Sequence, residues 1–595
     1  MFLTRFSAGL GLLALTACAA QTPTESGHIA LEVSALSGTC GSAASAAPLS
    51  EIKSFKLVVR QPNGDGTFSV LGKTLTSGFS GGKTITFSEV PAGSALEVTL
   101  TGLLGNGTTA WFARKSSLTV KKQETQAVDV TLMASEGFTC VGLTDTNVNK
   151  LAFPAATTIA GGKILITGGF ADKVVDGTDF VLSSALSKAY IFDPAKGTLK
   201  EAGNLSAARG AHSVVYLTKS NKILVVGGVQ QMRVKADGTE PPRWSPTDKA
   251  SPLWELCSLD NADHLSCTTD NDSQLNLRAR VLPNLMPLTA DYVVVSGGAP
   301  WPTTDTGEYR CADLFDPTLT SQVDGGKGAF AKLKAGDTCM NAPRATSAVA
   351  QFSRVGQNGT LNYLIWGGNE AIVGGATNTP AGKPVESFVE STNLGSGFFN
   401  DAYTLTGDYD EKNGTLFFST LVSLGTAKTQ DAAGADEIVD LFAAVGGARY
   451  SDGAKWQKPS KDDAYFLVVH AASNGKGASI NIKRMGGMTD GMYMGNATAT
   501  GGHVVVTGGF TDIKGGGATL TQFDAVDGDP LAPLVGSVPP AASSFIPRGA
   551  LSASRLSNDC ILLFGGVTDF NDLHSPDPAT NIGANDVYCP GFLAP

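Results

Sequence analysis

The residues of this chain with the most chemistry to offer are its nine cysteines, and their placement divides them into two kinds. Cys18 stands alone near the N-terminus, at the end of Leu15-Thr16-Ala17-Cys18. It follows an apolar run from Phe6 to Leu15 that is preceded by the positive charge of Arg5. That run is roughly half the length needed to span a bilayer, so it reads as an export signal and not as an anchor helix. The other eight are Cys40, Cys140, Cys257, Cys267, Cys311, Cys339, Cys560 and Cys589. An even number of thiols outside the cytosol suggests disulfides. None forms a Cys-x-x-Cys pair, which argues against a zinc site or a thioredoxin-like redox pair.

Other reactive patterns fail on context. Gly78-Phe79-Ser80-Gly81-Gly82 has nucleophile-elbow spacing but lies in a turn between strands, not at a strand-to-helix elbow. Gly82-Lys83-Thr84 lacks the earlier glycine of a phosphate loop, because Ser77 holds that place. The aspartates around Asp270 and Asp272 lack the ordered spacing of a calcium loop. The six histidines, His28, His212, His264, His470, His503 and His574, include no pair at ligand spacing. No metal and no cofactor is expected.

Leu-Thr-Ala-Cys directly after an apolar signal core resembles the lipobox of bacterial lipoproteins. The resemblance implies cleavage before Cys18, acylation of the new N-terminus and a diacylglyceryl group on the Cys18 thiol. Several acyl chains suffice for stable membrane holding. Ala19, in place of Asp, implies the outer membrane of a diderm cell, facing either the periplasm or the surface. Residues 1–17 are then the signal and 18–27 a lipidated linker.

A chain of 595 residues exceeds a single hydrophobic core, so at least two domains are expected. Seventy-one glycines and short Val/Ile/Leu runs mark it as all-β. A net charge of −10 without a basic stripe argues against nucleic acid. Residues 28–136 alternate apolar and polar, as in Ile29-Ala-Leu-Glu-Val33 and Leu96-Glu-Val-Thr-Leu100, with turn signals at Asn63-Gly64 and Gly81-Gly82. This pattern predicts a β-sandwich that resembles immunoglobulin-like or prealbumin-like modules.

From 137 to 595 one unit recurs: four mostly apolar residues, then Gly-Gly. It ends at Gly168-Gly169, Gly227-Gly228, Gly297-Gly298, Gly367-Gly368, Gly446-Gly447, Gly508-Gly509 and Gly565-Gly566, roughly 57 to 79 residues apart. A continuous apolar run is a strand buried on both faces, as stacked blades require. Arginine opens the preceding strand at Arg209, Arg344 and Arg548, and Asp-Pro turns follow at Asp193-Pro194 and Asp316-Pro317. Together these features resemble the kelch-type β-propeller. The direct count is seven blades, with six the alternative.

The seventh unit runs out after Asp586-Val587-Tyr588, so closing the ring requires a strand from elsewhere. The segment around Thr139 to Leu143 is expected to supply it. In this register Cys257 pairs with Cys267, Cys311 with Cys339 and Cys560 with Cys589. That leaves Cys40 with Cys140, although Cys140–Cys589 also remains open.

Connections after Gly-Gly are long, notably Val229 to Leu253 and Asn369 to Asn400, whereas those before the strand are short. Elaboration of one face suggests a binding surface. Arg233, Arg243 and Trp244 in the first long connection suit contact with a protein or glycan. Arg209, Arg344 and Arg548 are expected at the mouth of the central channel, where they could attract an anionic group. Kelch-like propellers include copper-radical sugar oxidases, which need two His and two Tyr ligands, but this chain has no His pair at ligand spacing. They also include sugar mutarotases, which need only acid/base groups in the channel. The expectation is a membrane-anchored binding or scaffold protein, with a carbohydrate-active enzyme, mutarotase-like or lyase-like, as the alternative. Its membrane contact is expected through the lipid alone.

Overall fold

The structure, a computed structural model, describes residues 26–36, 49–62, 68–75, 84–141, 150–177, 179–235, 243–249, 253–269, 277–300, 310–320, 327–333, 338–356, 359–368, 384–409, 415–431, 434–451, 455–470, 478–512, 515–524, 529–537, 547–568 and 585–590. Cys18 and Cys40 lie outside these residues, as do the side chains of Arg243 and Trp244. The chain is essentially all-β, with a propeller-like arrangement of blades preceded by a seven-stranded N-terminal unit.

Alternation of apolar and polar residues builds the N-terminal unit. Ile29, Leu31 and Val33 on one strand, and Phe55, Leu57 and Val59 on another, point into a common core with Leu96, Val98 and Leu100. Its first strand, Ser26–Ala35, pairs antiparallel with Thr84–Pro91 and parallel with Thr125–Ala134. The unit also shares a core with the blades: Leu36, Phe112 and Met133 pack with Leu151, Ile164, Leu556 and Cys560. A hydrogen bond from Thr131 Oγ1 to the Ala195 carbonyl, 2.6 Å, adds a polar tie.

The typical blade is an antiparallel sheet taken in chain order, as in Asn496–Thr500, His503–Thr507, Thr521–Asp524 and Val535–Ser537; in the five-stranded sheet Thr404–Gly407 adds a parallel outer strand beside Ser479–Arg484. Five blades stand as separate four- or five-stranded sheets, and an 11-stranded sheet covers the chain between them and the N-terminal unit. Within that large sheet, Ala155–Thr158, Ile164–Thr167, Lys188–Asp193 and Thr198–Asn204 pair in turn. Gly210–Leu217, Lys222–Lys235, Trp254–Leu259 and Leu265–Thr268 do the same. The four residues before each Gly-Gly are buried, with Val293, Val294 and Val295 all at zero exposure.

The last sheet is completed from the far end of the chain. Gly137–Cys140 pairs antiparallel with Asp586–Cys589, with Thr139 opposite Val587. The Val141 amide adds a 2.8 Å bond to the Asn585 carbonyl. The borrowed strand is the expected one, starting two residues earlier than Thr139. The borrowed strand covers the edge that Asp586–Cys589 would otherwise expose and brings the sheet to four strands.

Backbone geometry at the axis repeats from unit to unit. Phe153, Ala211, Leu282, Thr346, Phe418, Met494 and Ala550 all have φ between 50° and 57°. Their main chains are linked by hydrogen bonds: Ala211 to Phe153 (3.2 Å), Leu282 to Ala211 (2.7 Å), Phe418 to Thr346 (3.1 Å), Met494 to Phe418 (3.2 Å), Ala550 to Met494 (3.1 Å) and Phe153 back to Ala550 (2.8 Å), the first-named amide donating to the second-named carbonyl in each pair. Around this loop Phe153, Phe418, Met494, Phe170, Met232 and Phe510 form one apolar cluster.

Candidate functional site

The arginines expected at a channel mouth are interior residues. Arg209 is fully buried, and Arg344 and Arg548 are 1% exposed. Each donates to the carbonyl of the first glycine of its own Gly-Gly pair: Arg209 Nη1 to Gly227 at 2.7 Å, Arg344 Nη1 to Gly367 at 2.8 Å and Arg548 Nε to Gly565 at 2.8 Å. Each also pairs with an acid on the following strand: Glu255 at 2.6 Å, Glu386 at 3.1 Å and Asp586 at 2.9 Å. Burial pushes the Asp586 carboxyl above the usual carboxylate range, and Arg548 opposes that shift. Buried charges so paired and hydrogen-bonded are cross-struts between strands, not receptors for a ligand. The expected anion-attracting role is therefore corrected.

Sequence reasoning missed the fourth member of the set. Arg280 is 1% exposed, donates to the Gly297 carbonyl at 2.7 Å and pairs with Asp313 at 3.1 Å. It lies 17 residues before its glycine, the same spacing as Arg548. That spacing was the available signal. Arg278, two residues earlier, and Val281-Leu282-Pro283 in place of the small residues found after Arg209 and Arg548, obscured it.

His212 is tied to the same framework. Its Nε2 lies 2.8 Å from Thr167 Oγ1, and the residue is 3% exposed. Burial pushes its imidazole down to about 3, and the nearby Arg209 charge acts in the same direction. A group with its folded pKa depressed in this way leaves the unfolded chain binding the extra proton. Its stabilising contribution is thus complete above pH ~6.5 and is lost as pH falls toward the folded value. We expect stability to decline below pH ~6.5 at up to ~1.4 kcal/mol per pH unit from this residue. Chemical unfolding of wild type and His212→Asn at neutral and mildly acidic pH checks it. An equal acid loss in both proteins would place the lability elsewhere.

The described cysteines are structural. Cys257–Cys267, Cys311–Cys339 and Cys560–Cys589 are disulfides, and Cys140 is disulfide-bonded as well. With Cys589 joined to Cys560, the Cys140–Cys589 alternative is ruled out. Glu255 sits beside Cys257 and Cys267, but sulfurs bonded to each other offer no thiolate to a metal.

On the elaborated face, the connection from Val229 is not a loop at its start. The Gly-Gly strand continues as Lys222–Lys235 and is answered antiparallel by Arg243–Lys249, so a β-ribbon rises from the blade. Asp179–Ala185 joins its other side. Arg233 is held there by Asp176 at 2.7 Å and Asp179 at 3.1 Å. Val174 and Val175, each 58% exposed, stand on the adjacent strand. Likewise the stretch from Asn369 to Asn400 contains the strands Val385–Glu390 and Gly397–Asn400.

The opposite face carries a feature that the sequence did not announce. Arg60 and Arg114 of the N-terminal unit meet Arg555, His503 and Asp559 around a cleft of about 600 Å³. These residues are hundreds of positions apart, and only the docking of the two units brings them together.

No family profile and no curated protein matches the chain. Among solved structures, one described as the structure of YjhT is similar, at 10% sequence identity and a TM-score of 0.37, over 65% of this chain and 98% of that one.

Proposed function

We propose that this is an exported, lipid-anchored binding protein, held through Cys18 and presenting the elaborated face of a kelch-type propeller to a protein or glycan. The observation that carries the reading is the axis. Among the described residues, apolar side chains and paired main-chain groups cluster there, and Arg209, Arg344 and Arg548 are committed to buried acids. Acid/base chemistry on a sugar needs titratable groups facing an open channel. An apolar axis therefore favours binding over the mutarotase-like or lyase-like alternative. The β-ribbon around Arg233, with exposed Val174 and Val175, provides recognition surface beyond the blades.

The same reading takes the ring as seven blades, two of them inside the 11-stranded sheet. Its support is the seven Gly-Gly pairs and the seven left-handed residues strung around the axis. The N-terminal unit is taken as a β-sandwich, tied at its start by Cys40–Cys140. Because it shares a core with the blades, it is a fixed base and not a loose spacer.

The test uses the full chain for location and the chain from residue 19 for binding. Wild type is expected in the membrane fraction, and Cys18→Ser in the soluble fraction. On a glycan array, and against envelope proteins, the soluble chain is expected to select a partner. Replacing residues 236–242 by two glycines, with Arg243→Ala and Trp244→Ala, is expected to abolish that selection. Equal selection by both proteins would remove the role assigned to this face.

A further inference from the structure

We propose that the cleft between the N-terminal unit and the blades is a binding site for a small oxyanion ligand, a phosphate or carboxylate carried on a sugar-sized body. It lies on the short-turn face, opposite the surface discussed above, so the two readings stand or fall separately.

Five charges are arranged in a row. Arg60 Nη1 lies 3.4 Å from Glu97 Oε1, and Glu97 Oε2 is bonded to Arg114. Arg114 in turn binds Asp559 Oδ2, and Asp559 Oδ1 accepts Arg555 Nε at 2.9 Å and Nη2 at 2.5 Å. Three guanidiniums thus share two carboxylates, whose four oxygens are all engaged. One positive charge is left over.

The surplus sits at the ends of the row. Arg114, Glu97 and Asp559 are mostly covered, with side chains 18%, 18% and 14% exposed, whereas Arg60 and Arg555 are 44% and 52% exposed. A guanidinium carries five N–H donors. Arg60 uses one nitrogen, and Arg555 uses two on a single oxygen, so both retain donors toward the cleft. The acids hold these side chains in place beforehand, which lowers the ordering cost of binding.

The rest of the lining narrows the ligand class. Among the described residues no Phe, Tyr or Trp borders the cleft, so a neutral sugar lacks their broad stacking platform. The Gly501-Gly502 turn keeps its backbone open: Gly502 has φ +84°, and nothing stands within 4 Å of where a Cβ would be. A volume of about 600 Å³ accommodates a monosaccharide or disaccharide carrying the charged group. On a chain of net charge −10, a local cationic excess selects for anions. Forked guanidiniums match phosphate and carboxylate oxygens geometrically.

Isothermal titration of the chain from residue 19 tests this with four probes: glucose 6-phosphate, glucuronate, inorganic phosphate and glucose. Wild type is expected to bind at least one anionic sugar with a Kd below about 1 mM, and glucose far more weakly. Arg60→Gln with Arg555→Gln is expected to weaken anion binding about tenfold or more, with an unchanged unfolding midpoint because both side chains are half-exposed. Phosphate alone binding as tightly as glucose 6-phosphate would support the oxyanion site while assigning its ligand to the free ion. Tighter binding of glucuronate would assign it to carboxylates. Failure of every anion to bind, equal affinity for glucose, or unchanged affinity in the double variant would overturn the proposal.

Discussion

Arg344→Met is expected to destabilise the protein by about 3–5 kcal/mol, and adding Glu386→Gln to return about half of that loss. The asymmetry follows from what each change leaves behind. Arg344 and Glu386 are both 1% exposed and bonded at 3.1 Å, with Arg344 Nη1 also holding the Gly367 carbonyl at 2.8 Å. Removing the cation alone strands a carboxylate where water cannot reach it, and that desolvation cost dominates. Glutamine in place of the carboxylate removes the uncompensated charge yet keeps an acceptor for the Asn341 amide, which Glu386 Oε1 now accepts at 2.8 Å. The residual deficit is the unpaired Gly367 carbonyl, about 1–3 kcal/mol. The double-mutant cycle, read from chemical-unfolding midpoints followed by tryptophan fluorescence, checks it. If Arg344→Met left stability unchanged, the strut reading would fail and a ligand role for these arginines would return.

That experiment bears on how much of the molecule could be read from its residues. Burial on both faces and a tight exit are requirements of the strand itself, so runs such as Ile164-Leu-Ile-Thr-Gly-Gly were legible wherever they fell. The three disulfides between Cys257 and Cys267, Cys311 and Cys339, and Cys560 and Cys589 were legible too, because each lies on or just beside neighbouring strands of one repeat. The arginines were located but misassigned. Position in the repeat says nothing about which way a side chain points, and the acids that claim them, Glu255, Glu386 and Asp586, stand at no fixed spacing from the Gly-Gly pair. The cleft was illegible for a different reason. Arg114 and Asp559 are 445 residues apart, and no periodicity within either unit encodes how the two units dock.

The glycines allow a second large effect to be separated from simple backbone strain. Gly161 and Gly367 both have left-handed backbones, with φ +76° and +68°. Around Gly161 nothing lies within 4 Å of an added Cβ, so Gly161→Ala costs only the conformational penalty, roughly 1–2 kcal/mol. At Gly367 the same Cβ would stand 2.1 Å from the carbonyl oxygen of Leu416, on the next unit around the axis. That oxygen cannot retreat easily, since it accepts the Gly368 amide at 2.7 Å. Gly367→Ala therefore adds separation of two close-packed blades to the same torsional penalty, for a further ~1–3 kcal/mol or more. The contact recurs where the ring meets itself: a Cβ on Gly565 would lie 2.7 Å from the Leu151 carbonyl. Gly565→Ala should match Gly367→Ala more nearly than Gly161→Ala in its unfolding midpoint. If the three substitutions cost the same, the paired glycines would be needed only for their torsion angles. The seams between blades would then owe their tightness to the apolar strands alone.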